Sequence, residues 1–106
     1  MPRGRMDAPF FFEHEMGDAR DNLARGFARL LGPAAGAAVA AGETRVEVAA
    51  GSGKKIVLEV ADMPPRPFGP VALPVTRVCV TLSGYGAGEA ETFRADFDRA
   101  FQRGGG

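Results

Sequence analysis

Disulfides, histidine clusters, tryptophan and net charge are absent or nearly so from these 106 residues. The single cysteine, Cys79, has no partner for an intramolecular disulfide, and a reducing, cytoplasmic setting is the simplest expectation. The single histidine, His14, lacks the paired His or Cys that zinc signatures require, so no metal or other cofactor is expected. Long apolar runs are missing too. Residues 8–12 stop at Glu13, short of the ~7–15 apolar residues of a secretory signal. The Ala-rich stretch 33–42 falls far below the ~20 residues of a membrane span, so no membrane contact is expected. Thirteen Lys+Arg balance thirteen Asp+Glu, which argues against a protein that coats nucleic acid through summed positive potential.

Alanine, glycine, arginine and proline make up 52 of the 106 residues, a bias that resembles GC-rich coding more than flexibility. The 45% hydrophobic and 25% charged fractions are those of an ordinary globular chain. The length suits one domain with one modest core. We expect a leader over residues 1–8, a single domain over 9–103 and a glycine tail over 104–106.

Two amphipathic segments predict helices. After Asp18, a candidate cap, Leu23, Phe27, Leu30 and Leu31 fall on one stripe of a 3.6-residue period, and Gly32-Pro33 supplies a stop. Over residues 89–102, Phe93, Phe97 and Phe101 repeat every four residues, with acids in the first turn and arginines in the last. Three rings on one stripe must pack against something apolar. Between these helices the period drops to two. Residues 44–48 set Val46 and Val48 against Arg45 and Glu47, and residues 56–60 align Ile56, Leu58 and Val60. A turn at 50–53 joins them. Residues 75–82 place Val78, Val80 and Leu82 inward and Arg77, Cys79 and Thr81 outward. Phe10-Phe11-Phe12 suits a further short strand. The expected fold is α+β, a two-layer sandwich in the order βαβββα, with two helices on one face of an antiparallel three- to four-stranded sheet. Residues 33–42 suit either a loop or a short helix. Residues 62–74 carry five of the eight prolines and predict a stiff, extended excursion, not a central strand.

No residue pattern carries an enzymatic reading. In a strand His14 would point away from Glu13 and Glu15, leaving it a polar residue at a strand end and at most a weak polar site. Gly51-Ser52-Gly53-Lys54-Lys55 lacks the first glycine and the final Ser or Thr of a P-loop, and enters a strand. Gly84-Tyr85-Gly86-Ala87-Gly88 lies between a strand and a helix, but Glu89 replaces the last glycine of a dinucleotide fingerprint and would repel phosphate. Cys79 reads as a small packed residue, and neither Ser52 nor Ser83 sits in a nucleophile elbow.

By element order, βαβββα resembles ribosome-hibernation factors, and its αβββα part resembles double-stranded-RNA-binding domains. The resemblance implies an RNA- or ribosome-associated factor, with Arg25, Arg29, Arg45, Lys54, Lys55 and Arg77 as the basic residues available for a patch. Where the RNA-binding domains carry lysines at the start of the last helix, this chain reads Gly88-Glu89-Ala90-Glu91. The expectation we carry forward is a non-enzymatic accessory or protein-interaction module, capable of self-association, with that RNA role as the alternative. Its candidate surface is Phe10, Phe11 and Phe12, of which one or two rings face outward from an edge strand, with Arg66 and Phe68 in the proline-rich segment.

Overall fold

A computed structural model describes residues 9–101, so the leader expected over 1–8 and the tail expected over 104–106 lie outside the described residues. The elements follow as β1 (Phe10–Met16), α1 (Arg20–Leu31), α2 (Pro33–Ala40), β2 (Arg45–Ala49), β3 (Lys55–Phe68), β4 (Val71–Ser83) and α3 (Ala87–Phe101). The class is α+β, with an antiparallel four-stranded sheet in the order β1-β4-β3-β2 and three helices.

Three helices correct the expected two, because residues 33–40 are helical. Pro33 opens α2 at a position where its missing N–H costs nothing, and alanines favour continuation. The order is therefore βααβββα. Asp18 does not cap α1. Ala19 holds that position, while the Asp18 carboxylate accepts from the Ala19 N–H and the Asn22 side chain. Gly36 lets the helices meet closely, since a Cβ there would lie 2.6 Å from the Ala24 carbonyl oxygen of α1.

Alternation along the strands builds the core. Phe12, Val46, Ile56, Leu58, Val60, Val78, Val80 and Leu82 come from the sheet, and Leu23, Phe27, Val39, Ala90 and Phe97 come from all three helices. Phe97 is the aromatic centre, with ring centroids 5.3 Å from Phe12, 6.1 Å from Phe27 and 4.8 Å from Phe101.

The largest departure from expectation concerns the prolines. The segment over 62–74 is paired strand. β3 and β4 run on beyond the sheet as a two-stranded arm from Asp62↔Thr76 to Phe68↔Val71, with a bulge between Met63 and Arg66. Pairing of β1 ends at Met16↔Thr76 and pairing of β2 at Arg45↔Glu59, so the arm has two free edges. A proline on a free edge removes no ladder hydrogen bond, which is why a ribbon tolerates residues that a central strand excludes. The arm contributes to principal-axis extents of 57 × 25 × 24 Å.

Candidate functional site

The root of the arm is fixed before its tip is reached. Arg20, the first residue of α1, aims its guanidinium at this point and donates to Asp62 Oδ1 at 3.0 Å. It also donates to the carbonyls of Glu43 at 2.9 Å and Val60 at 3.2 Å. Across the ladder, the Thr76 hydroxyl donates to the Asp18 carbonyl at 2.9 Å. Both strands are thus tied to the helical side where the arm leaves the sheet. Little in the sequence marked Arg20, whose partners lie 19 to 42 residues away.

Beyond the root the arm is mostly apolar; Val75 is buried and Met63 and Leu73 are half-buried, while residues 64–72 around the tip are exposed. Its tip turn carries Gly69 at φ +60°, a conformation suited to glycine. Phe68 retains 64% exposure and its cross-strand partner Val71 retains 55%. Arg66, two residues before Phe68 and on the same side of the ribbon, reaches back to Glu15 at 3.4 Å. An aromatic and a branched aliphatic side chain at the end of an anchored ribbon form a preorganised apolar contact.

The remaining surface candidates separate. Phe11 is 60% exposed on the sheet face opposite the core, and Phe10 is partly covered at its end of the sheet. Phe12 is buried in the core and takes no part in a surface. The outward face otherwise carries ion pairs. Arg77 contacts Glu13 at 3.2 Å and Glu15 at 3.3 Å. Arg45 pairs with Glu47 at 2.8 Å and Glu59 at 3.7 Å, and Lys55 with Glu47 at 3.8 Å. The basic residues available for an RNA patch are therefore divided: Arg45, Lys55 and Arg77 are matched by glutamates on this face, and Lys54 by Glu89. Arg25 and Arg29 stand on α1.

Cys79 lies in this face between Glu13 and Glu59 on the neighbouring strands. Burial, reinforced by Glu13, pushes its thiol pKa up. Maleimide should therefore label Cys79 markedly more slowly in the native chain than in denaturant at neutral pH. Equal rates, followed by mass spectrometry, would contradict this environment.

His14 is not the strand-end residue expected. It sits within β1 opposite Val78, its ring stacked on Phe97 at 5.3 Å. Its Nε2 is shielded from solvent and lies 3.8 Å from Asp98 Oδ1. The two border a groove of about 460 Å³ between the end of β1, α1 and α3. No Ser, Thr, Cys, Lys or Tyr lines it, so this His–Asp pair has no adjacent nucleophile to activate. Among the described residues no three His, Cys, Asp or Glu side chains converge to hold a metal, and no helix is long and apolar enough to cross a membrane.

The glycine loop before α3 is occupied by its own helix. Glu89 Oε1 accepts from the Gly86 N–H at 2.9 Å, its other oxygen meets Lys54, and Lys54 lies 5.3 Å from the centre of the Tyr85 ring. The carboxylate fills the place at the helix start where a phosphate would bind. The Gly86 bond and then Lys54 hold Glu89 below its ordinary pKa, and Arg45 and then Lys55 do the same for Glu47. Depressed carboxylates stabilise the fold above their unfolded pKa, and that contribution is lost as pH falls through the folded values. Thermal stability should therefore decline as pH drops below about 4.5. Glu89→Gln should lessen the slope, and added salt should shrink the effect because these groups are exposed. A melting temperature in Glu89→Gln with unaltered pH dependence would contradict the assignment.

Comparison with protein-family models, curated proteins and solved structures finds no match to this chain.

Proposed function

We propose that this chain is a non-enzymatic protein-interaction module and that the β3–β4 arm is its docking element. In this reading the protein is a two-layer sandwich whose helices cover one sheet face, leaving the other face and the arm for contacts. One observation carries the reading: Phe68 and Val71 stand exposed at the tip of a ribbon whose root is fixed by Arg20 and Thr76. Interface hot spots are of this kind, an aromatic anchor presented with little ordering left to lose. RNA or ribosome association has no comparable observation in its favour, since the basic side chains of the sheet are matched by glutamates.

Phe68→Asp is the test. Because Phe68 is exposed, the substitution should change stability by no more than about 0.5 kcal/mol. Affinity capture with native bait should retain a protein partner, either a second copy or another chain, and the Phe68→Asp bait should lose it. Retention of the same partner by both baits would refute the arm as the docking element.

A further inference from the structure

We infer that the groove between α1 and α3 binds a small organic acid, an apolar body carrying a single carboxylate. The site is separate from the arm and does not depend on the arm's role.

Charge pairing sets the groove apart. The chain has zero formal net charge, and most of its described cations already have a partner. Arg20, Arg45, Arg66, Arg77, Arg99 and both lysines each meet a carboxylate, and Arg94 lies over the Phe12 ring. Arg25 and Arg29 form no ion pair among the described residues, and both line the groove. They stand four residues apart on α1, a spacing at which like charges repel and weaken a helix. Arg29 donates to the Ala100 carbonyl of α3 at 3.3 Å, which ties its guanidinium to the opposite wall. An anion shared by the two guanidiniums would relieve their repulsion and accept charge-assisted hydrogen bonds from both.

The rest of the lining describes the rest of the ligand. Leu23 and Phe97 are buried and Phe101 is half-buried, so the groove has an apolar floor between its charged rims. Gly26 adds no side chain to that floor, and a Cβ there would run into the Phe101 ring. The volume of about 460 Å³ is that of a small-molecule pocket. Asp18 and Asp98 also border it. Asp18 accepts from the Ala19 N–H and the Asn22 side chain, and Asp98 lies 3.8 Å from His14 Nε2. Every further negative charge on a ligand meets these two acids. A polyanion such as a nucleotide is therefore disfavoured, and a monocarboxylate is not.

Nuclear magnetic resonance titration of the nitrogen-labelled full chain with cinnamate, at neutral pH and low salt, tests the site. Cinnamate should shift the amides of Leu23, Gly26 and Ala100, with a Kd on the order of 0.1–1 mM for a ligand of this size. Cinnamyl alcohol, the same body without the charge, should bind roughly tenfold more weakly or worse. Arg25→Gln and Arg29→Gln should each weaken cinnamate by about tenfold, with melting temperatures close to native because both side chains are exposed. Asp98→Asn should tighten binding, a change of sign that damage to the groove would not produce. Phe68→Asp should bind as the native chain does, whatever becomes of its protein partner. Absence of shifts at cinnamate on the order of 10 mM, well above the expected Kd, overturns the inference. So does cinnamyl alcohol or phenyl phosphate binding as tightly as cinnamate, or affinity that neither arginine variant alters.

Discussion

Replacing Phe97 with alanine should lower the free energy of unfolding by about 3–5 kcal/mol, the usual cost of deleting a buried ring. The size follows from what that ring touches. Phe97 is 1% exposed and contacts a strand, another helix and its own helix through Phe12, Phe27 and Phe101. Aromatic pairs of this geometry add about 0.5–1.5 kcal/mol beyond their buried area. The cavity left by truncation would border Phe12 of β1 and Phe27 of α1, which belong to different elements and cannot close on it together. Denaturant unfolding checks the value. A loss below ~1 kcal/mol would mean that α3 does not depend on this ring for docking.

Gly84→Ala should be comparably damaging, at about 2–4 kcal/mol from left-handed strain and overpacking combined. Gly84 adopts φ +80°, and a Cβ there would lie 2.5 Å from the Gly53 carbonyl oxygen. That oxygen belongs to the β2–β3 turn, whose Lys54 meets Glu89 of α3. The glycine is required by the close passage of two backbones, not by a nucleotide phosphate. Gly86→Ala at the neighbouring position is the control. A Cβ there would meet only the Glu89 side chain, at 3.7 Å, so the two variants should differ clearly in melting temperature. Equal, small losses would show that the turn yields easily to the added methyl.

Sequence reasoning reached the elements whose periodicity is local. The Leu23-Phe27-Leu30-Leu31 stripe, the alternation in β2 and β3, and the inward set Val78, Val80 and Leu82 all follow from spacing alone, and the structure places them accordingly. Helix α2 escaped because Pro-Ala-Ala-Gly-Ala-Ala-Val-Ala has no polar face from which to read a period. The arm escaped for a different reason. Proline argues against a strand only where both edges are paired, and a ribbon that leaves its sheet has partners only within its own hairpin. At the site, Phe68 and Arg66 were visible as residues, but their placement at a rooted tip was not. Arg20, Asp62 and Thr76, which root it, are brought together only by the tertiary fold. His14 and Asp98 lie 84 positions apart, and no local pattern could have joined them.

The central claim is that the exposed tip of the β3–β4 arm is covered when the protein works. Size-exclusion chromatography with light scattering, run on the native chain and on Phe68→Asp both purified and in cell extract, tests it most directly. The native chain should elute in a species larger than a single copy. Phe68→Asp should elute as a monomer with an unchanged melting temperature. Identical elution of the two chains, in both settings, would contradict the account.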